Sequence, residues 1–232
     1  MTDPAPFDWA PIRFVVFDVD GTLYRQRPLR LRLAAALVGH ALRTRSLRDL
    51  SVVRHYRTLR EELGDRELPD FEDHLAKEVG SRLGLEPAAV RTIVTEWIDT
   101  RPLSALASCR YAGVDTLFDR VRASGRKIGV LSDYPARDKL AALGLRADHV
   151  VGAREVGVMK PHPRGLERIM DMAGESPDTT VLIGDRADRD GKAARRAGVR
   201  CLLRTSTPVE GWRCFAGYDD PVFHGLHAGA RV

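Results

Sequence analysis

The 232-residue sequence has few cysteines, no asparagine and no long apolar run. Its three cysteines, Cys109, Cys201 and Cys214, lack CxxC or other zinc spacing, and an odd number fits a secreted disulfide framework poorly. The longest uncharged apolar run, Leu33–Leu42, has ten residues, whereas a membrane-spanning helix needs roughly 20. Residues 1–10 lack the basic and apolar regions of a signal peptide. These absences predict a cytoplasmic protein with reduced cysteines and no transmembrane segment.

The charge is nearly balanced overall but unevenly distributed. The chain has 37 basic and 32 acidic residues, a net charge of +5, which is too small to indicate a nucleic-acid partner, and none is expected. Residues 25–60 contain ten arginines and one acid, whereas residues 61–101 contain five basic and eleven acidic residues. Such charge runs are most simply interpreted as solvated or mutually paired surfaces. A surface that binds an anionic membrane or nucleic acid is the alternative.

The first half of the chain predicts one strand followed by helices. Ile12–Phe17 is a nearly continuous apolar run, typical of a strand buried on both faces of a parallel sheet. From Pro28 to about Arg101 the pattern is helical, with breaks at Arg45-Ser46, Gly64–Pro69 and Gly84–Pro87, and no strand candidate interrupts it. The predicted helices are Leu29–Thr44, Leu47–Leu63, Phe71–Leu83 and Pro87–Thr100.

After Pro102 the pattern alternates between helix and strand. The predicted strands are Lys127–Leu131, His149–Val151, Thr180–Ile183 and Arg200–Leu203, and the predicted helices are Val114–Ser124, Ala136–Leu143, Pro163–Ala173 and Asp188–Ala197. This alternation predicts an α/β fold, a doubly wound, Rossmann-like parallel sheet with a helical domain inserted after its first strand. The predicted core comprises residues 1–24 and 103–232, and the insertion comprises residues 25–102. Residues after Thr205 receive no assignment.

Chemically functional side chains follow four of the predicted strands. They are Asp18 and Asp20 after the first, Ser132 after the second, Lys160 after the third, and Asp185 and Asp190 after the fourth. Each alone has an ordinary explanation, because aspartate before glycine forms turns, serine caps helices and a single lysine is usually solvated. Together they fall at the carboxyl edge of one sheet, where α/β proteins bind ligands. Their common position therefore favours a functional site.

The residue types at this edge suit phosphoryl transfer. Carboxylates from two strand ends form an oxygen-rich site appropriate for Mg²⁺, which binds one or two carboxylates together with phosphate oxygens. A lysine and a hydroxyl supply a charge and a hydrogen bond for the other phosphoryl oxygens. A carboxylate also serves as the covalent nucleophile in enzymes that form an aspartyl-phosphate.

Four short motifs resemble those of the haloacid dehalogenase (HAD) superfamily of phosphatases. The segment Phe17–Leu23 resembles the first signature, DxDGT, and Leu131-Ser132-Asp133 resembles the second. Lys160-Pro161 is similar to the third motif, and the segment from Gly184 to Asp190 is similar to the fourth, GDxxxxD. All four occur in the family order, which is strong evidence. The helical insertion resembles a C1-type cap, as in phosphoglycolate phosphatases.

The resemblance implies roles for three aspartates. Asp18 would attack phosphorus and form the aspartyl-phosphate, and Asp20 would protonate the leaving oxygen and later deprotonate the hydrolytic water. Mg²⁺ would be held by the carboxylates of Asp18 and Asp185 and by the main-chain carbonyl of Asp20. An acid at position 20 distinguishes phosphatases from the dehalogenases of the family, which lack it.

The resemblance also implies roles for the remaining motif residues. Ser132 and Lys160 would bind the transferring phosphoryl group, and Asp190 would orient a metal-bound water or Lys160. Two positions depart from the usual pattern. Asp133 stands where relatives often have asparagine, and Asp188 competes with Asp190 for the second carboxylate of the fourth motif, where the spacing favours Asp190.

The predicted function is hydrolysis of a small phosphorylated metabolite by a Mg²⁺-dependent phosphatase. Two alternatives remain open at this point, a phosphomutase of the same family and a protein whose cap binds an anion or membrane and retains residual catalysis. Arg25 and Arg27 follow Asp20 closely, and we predict that they attract a substrate with a second negative charge. The sequence predicts neither the identity of the phosphomonoester nor the oligomeric state.

Overall fold

The computed structural model describes residues 6–66 and 69–226, and its centre is a parallel sheet. The six strands of the described residues are β1 Phe14–Phe17, β2 Lys127–Ser132, β3 His149–Gly152, β4 Thr180–Gly184, β5 Arg200–Arg204 and β6 Arg213–Phe215. They pair in the order β3-β2-β1-β4-β5-β6, and every pair is parallel. The predicted parallel sheet is therefore confirmed, with β1 at its centre.

Side chains of the central strand alternate between two layers of helices. Val15 and Phe17 pack in one apolar cluster with α6 (Val114–Ala123) and α7 (Arg137–Leu143). Phe14 and Val16 pack in another with α9 (Arg164–Ala173) and α10 (Lys192–Arg196). Successive side chains of a strand point to opposite faces, so a continuous apolar run fills both layers. This arrangement is the doubly wound fold that the alternating pattern predicts.

Four helices follow one another directly after β1, ahead of α5 (Leu103–Cys109) and α6. They are α1 Gln26–Thr44, α2 Arg48–Arg66, α3 Phe71–Leu83 and α4 Pro87–Val94, which continues as a π-helical turn, Thr95–Thr100. We call Gln26–Thr100 the helical segment. It has its own apolar cluster, to which Ala153 and Met159 of the sheet region also contribute. The predicted helices are close to the observed ones, although α1 begins at Gln26 rather than Leu29.

Several short elements lie outside the predictions. They are α5 Leu103–Cys109, α8 Ala153–Val156, β6, and two 3-10 turns, Pro177–Thr179 and Pro221–Phe223. The predicted helix Asp188–Ala197 instead begins with a π-helical turn, Ala187–Gly191, before α10. A helix of one or two turns buries too few side chains to produce a periodic signal. In the part of the chain that the structure describes, no helix has the length and apolarity needed to cross a bilayer.

Candidate active site

The pairing of β1 with β4 brings the first and fourth motifs together. Phe17 lies opposite Ile183 in the sheet, and the Asp18 N–H donates to the Ile183 carbonyl at 2.8 Å. Both strands end at this point, so Asp18 and Asp185 follow them at adjacent positions. One carboxylate oxygen from each of Asp18, Asp185 and Asp190 lies within 4.8 Å of the others.

Lys160 forms a buried ion pair with two of these acids. Its ammonium nitrogen lies 2.5 Å from Asp18 Oδ1 and 2.6 Å from Asp190 Oδ1, and the side chain is 4% exposed. Burial by itself lowers the pKa of Lys160, but the charges of Asp18 and Asp190 outweigh it and raise this pKa. The lysine is therefore held in its charged form beside Asp18, whose other oxygen accepts a 3.0 Å hydrogen bond from the Thr22 hydroxyl.

The three carboxylates repel one another strongly enough to favour a bound cation. Burial and the charge of Asp190 raise the pKa of Asp185 to about 7. Burial also raises the pKa of Asp18 above its ordinary value, even though Lys160 opposes this. Among the described residues, no group donates a hydrogen bond to the Asp185 carboxylate. An all-oxygen donor set with excess negative charge is chemically suited to a hard divalent cation, and the residues present therefore fit one.

Asp190 differs from Asp185 because both of its oxygens are already occupied. One accepts from Lys160, and the other accepts the backbone N–H groups of Asp185 at 3.2 Å and Arg186 at 3.0 Å. The residue is 1% exposed. These bonds fix the loop after β4 and the position of Lys160, which is consistent with the orienting role predicted for Asp190.

Asp20 lies apart from the three clustered acids. The Lys139 ammonium nitrogen is 2.7 and 2.8 Å from its two carboxylate oxygens, and the Tyr24 hydroxyl donates a further hydrogen bond. Burial tends to raise the pKa of Asp20, but Lys139 and Tyr24 outweigh this effect and hold the pKa below its ordinary value. Asp18 and Asp20 are thus two residues apart in sequence and have opposite pKa shifts.

The turn that follows these two aspartates depends on Gly21. Its φ is +97°, a conformation that residues with a side chain rarely adopt. A Cβ at this position would lie 2.1 Å from Asp185 Oδ2. The glycine therefore allows the backbone of the first motif to approach the carboxylate of the fourth.

A cavity of about 270 Å³ opens above these groups. Its lining includes Asp18, Asp20, Lys139, Lys160, Asp185 and Asp190 from the sheet edge. From α1 and α2 the lining includes Gln26, Leu29, Arg30, Leu33, Arg57, Arg60 and Glu61. The cavity thus lies between the carboxyl edge of the sheet and the first two helices of the helical segment.

Comparison with known proteins agrees with this arrangement. A sequence profile described as haloacid dehalogenase-like hydrolase matches residues 12–198, which include all four motifs. The chain belongs to the haloacid dehalogenase-like hydrolase family.

Curated relatives of this HAD-family protein are named as phosphatases. It is 32% identical over 200 residues to a glyceraldehyde 3-phosphate phosphatase of Methanopyrus kandleri, covering 81% of this chain and 82% of the relative. It is 27% identical over 204 residues to a phosphoglycolate phosphatase of Pseudomonas putida, covering 82% of this chain and 68% of the relative. The family and these relatives confirm the prediction of a phosphatase enzyme.

Solved structures of the family share the fold. The HAD-hydrolase YfnB of Bacillus subtilis aligns with a TM-score of 0.67 at 14% identity, covering 93% of this chain and 98% of YfnB. A HAD phosphatase of Thermococcus onnurineus aligns with a TM-score of 0.61 at 22% identity, covering 87% and 91% of the two chains. At these identities the likeness concerns the fold alone.

Three residues predicted for the HAD site do not line the cavity. Ser132 is fully buried, and its hydroxyl accepts the Tyr134 N–H at 3.2 Å. Arg25 and Arg27 are exposed, whereas Gln26 between them faces the cavity. Because α1 begins at Gln26, the cavity-facing positions repeat from that residue along the helix. Arg30, four residues after Gln26, is the arginine of α1 that faces the cavity.

Lys139 is a site residue that the motifs do not indicate. It is 5% exposed and lies in α7 with the buried residues Leu140 and Leu143, three positions after the buried N-cap residue Ala136. A lysine at i+3 in a stripe of apolar residues departs from the usual amphipathic pattern. That departure is the signal available in the sequence, although it does not reveal that Asp20 is the partner.

Contacts from α2 join the helical segment to the motif loops. The Arg60 guanidinium donates to the main-chain carbonyl of Asp133, next to Ser132. In the opposite direction, Arg189 of the fourth-motif loop donates to the main-chain carbonyls of Glu61, at 2.9 Å, and Lys160, at 3.0 Å. These bonds fix α2 above the carboxyl edge of the sheet.

Proposed function

We propose that the protein is a Mg²⁺-dependent phosphomonoester hydrolase that acts on a small phosphorylated metabolite through an aspartyl-phosphate. The observation that carries this proposal is the buried Lys160 ion pair with Asp18 at the base of the cavity, beside Asp185. It brings together a carboxylate nucleophile, a fixed positive charge and a further acidic ligand. The named relatives are phosphatases, which favours hydrolysis over the phosphomutase alternative.

Asp18 is the proposed nucleophile of the first step. One of its oxygens accepts from Lys160 and the other from Thr22, so the carboxylate is held in one orientation. Attack on phosphorus forms the acyl phosphate and releases the alcohol, while the Lys160 charge offsets negative charge on the phosphoryl oxygens. Mg²⁺, when bound by the Asp18 and Asp185 carboxylates and the Asp20 carbonyl, supplies further neutralising charge.

Asp20 is the proposed acid and base. It gives a proton to the leaving oxygen in the first step and takes one from water in the second. The Lys139 ion pair favours the ionised form of Asp20, which is the form that accepts the proton from water. Hydrolysis of the intermediate is the step that distinguishes a phosphatase from a phosphomutase.

The helical segment has the proposed role of a C1-type cap, with boundaries near residues 25 and 102. Residues of α1 and α2 form one wall of the cavity, and the Arg60 and Arg189 bonds position α2 above the motif loops. Such a cover excludes bulk water while the phosphoryl group is transferred. The predicted cytoplasmic location rests on the cysteine pattern and remains a prediction.

Trapping the covalent intermediate tests the mechanism. The protein is mixed with excess p-nitrophenyl phosphate and Mg²⁺, quenched in acid within milliseconds, digested and analysed by mass spectrometry. The expected result is a phosphoryl group on the peptide that contains Asp18, absent in Asp18→Asn and present in Asp188→Asn. Asp188 pairs with Arg186 and does not line the cavity, so it is a matched control. Release of phosphate by Asp18→Asn at the wild-type rate would refute the covalent mechanism.

A further inference from the structure

Five arginines line the cavity, and most of their charge is neutralised within the protein. They are Arg30, Arg57, Arg60, Arg186 and Arg189. Arg60 pairs with Glu72 at 3.0 Å, and Glu61 pairs with Arg186 at 2.9 Å and with Arg189 at 3.4 Å. Because these three arginines already have carboxylate partners, a substrate anion would have to compete with Glu61 or Glu72 for them.

The two other arginines have no carboxylate partner among the described residues. Arg30 donates to the side-chain oxygen of Gln26, so part of its guanidinium is in use. Arg57 is half-buried and makes no hydrogen bond or ion pair with any described residue. A guanidinium that has lost part of its hydration without gaining a partner is an unfavourable arrangement. An anion that enters the cavity would relieve it.

The position of Arg57 on α2 directs it toward the substrate space. Arg57, Arg60, Glu61 and Gly64 all line the cavity and are spaced i, i+3, i+4 and i+7, which defines one face of the helix. Arg60 and Glu61 are tied to the motif loops, whereas Arg57 is one turn nearer the start of α2. Arg57 is therefore available to a part of the substrate other than the phosphoryl group at Asp18.

We propose that Arg57 binds a carboxylate of the substrate, so that the preferred substrates are phosphorylated short-chain carboxylic acids. This inference rests on the proposed phosphatase function and adds the substrate class. The planar guanidinium pairs with a carboxylate through two parallel hydrogen bonds. A carboxylate would supply both the negative charge and the hydrogen-bond acceptors that Arg57 does not find among the described residues.

Two matched pairs of substrates test the proposal. Phosphoglycolate differs from glycolaldehyde phosphate, and 3-phosphoglycerate from glyceraldehyde 3-phosphate, by a carboxylate in place of an aldehyde. Steady-state kinetics with Mg²⁺ compare the wild type with Arg57→Leu, Arg57→Lys and Arg54→Leu. Arg54 is the control, because it is exposed on the same helix and does not line the cavity.

We expect the loss to be confined to the carboxylate substrates. Arg57→Leu should raise KM for phosphoglycolate or 3-phosphoglycerate by about 10-fold to 100-fold, the usual effect of losing a charged hydrogen-bonding partner. The aldehyde substrates should change by less than about threefold. Arg57→Lys should recover part of the loss, since it keeps the charge but not the two-pronged geometry. Arg54→Leu should behave as the wild type.

The outcomes separate this inference from the proposed function. Equal losses on carboxylate and aldehyde substrates, or no loss on either, overturn the role of Arg57 while the phosphatase remains. If the wild type releases no phosphate from these four compounds or from p-nitrophenyl phosphate, the proposed function fails. A calorimetric measurement of phosphoglycolate binding then tests the role of Arg57 independently of turnover. Equal affinity in the wild type and in Arg57→Leu would overturn that role. Circular dichroism verifies that each variant is folded.

Discussion

The ammonium group of Lys139 lies 2.7 and 2.8 Å from the two carboxylate oxygens of Asp20, so it holds this acid away from the Asp18 cluster. The pKa of Asp18 is raised mainly by burial, whereas that of Asp20 is lowered because Lys139 outweighs the effect of burial. Two carboxylates whose environments shift their pKa values in opposite directions are suited to different chemical roles.

Replacing Lys139 should destabilise the protein in a pH-dependent manner. The Asp20 pKa is lowered on folding, so the ion pair contributes stability above the unfolded-state pKa near 3.8 and loses it as the pH falls. We expect Lys139→Met to lower the free energy of unfolding by about 1.5–3 kcal/mol at pH 7. Urea unfolding at pH 7 and at pH 3, below the unfolded-state pKa, measures the difference, which should shrink at the lower pH.

The matched control for this variant is Arg137→Met, an exposed position in the same helix. It should change the free energy of unfolding by less than about 0.5 kcal/mol at either pH. A Lys139→Met effect that is the same at pH 3 and pH 7 would show that the lysine stabilises the fold through packing alone.

Asp20→Asn should impair proton transfer more than metal binding. The substitution keeps the main-chain carbonyl, so Mg²⁺ affinity should be nearly unchanged, while turnover of an alkyl phosphate falls by about 10²-fold to 10⁴-fold. The first step should be less affected for p-nitrophenyl phosphate, because its leaving group needs less protonation. Rapid-quench kinetics on both substrates, with Mg²⁺ titrations, compare these effects. Equal losses of metal affinity and rate would instead indicate that the Asp20 side chain binds the metal.

Gly21→Ala should disrupt the metal site, whereas Gly39→Ala should not. A Cβ at Gly21 would collide with Asp185 and would require φ near +97°, so we expect weaker Mg²⁺ binding and lower stability. Gly39 lies within α1 with open space around its Cβ position, and alanine there should stabilise the helix by about 0.5–1 kcal/mol. Thermal unfolding and Mg²⁺ titration of both variants measure the contrast. Unchanged Mg²⁺ affinity in Gly21→Ala would contradict the close approach to Asp185.

Stabilisation by Mg²⁺ should increase with pH. The pKa of Asp185 is raised to about 7 without metal, so its contribution to stability is present below the unfolded-state value and is lost as the pH rises toward 7. Mg²⁺ binds the ionised carboxylate, and the increase in Tm that it causes should be larger at pH 8 than at pH 5. Asp185→Asn should remove this pH dependence. An equal increase in Tm at both pH values in the wild type would refute the prediction that Mg²⁺ stabilisation depends on ionisation of Asp185.

The sequence predicts the fold well because the two relevant patterns are strong. Strand β1 is apolar on both faces, and α2 and α3, unlike α1, end near glycine or proline signals. Asp18 of the first motif lies together with Asp185 and Asp190 of the fourth, because these residues follow strands that pair side by side. Local pattern is sufficient for these features, since parallel strands align their carboxyl ends at one edge.

Other parts of the site depend on contacts that sequence spacing does not determine. Lys139 reaches Asp20 across 119 residues, and the sequence shows only that a lysine lies in an apolar stripe. Which residues of α1 face the cavity depends on where the helix begins. The sequence predicts a start at Leu29, whereas the helix begins at Gln26, and this difference of three residues leaves Arg25 and Arg27 outside the cavity. Arg57 was one of ten arginines in a basic run, and only packing separates it from its paired or exposed neighbours.

The central place of β1 in the sheet has a consequence for synthesis of the chain on the ribosome. Residues 14–17 emerge early, but their neighbours in the sheet are residues 127–132 and 180–184. Lys127, the first residue of β2, follows Phe17 by 110 residues, an interval of roughly 6–22 s at typical rates of translation. Throughout this interval the strand Phe14–Phe17 has both edges unpaired, while the helical segment can pack its own apolar cluster. The nascent chain therefore exposes the edges of this apolar strand before either of its neighbours in the sheet has been synthesised.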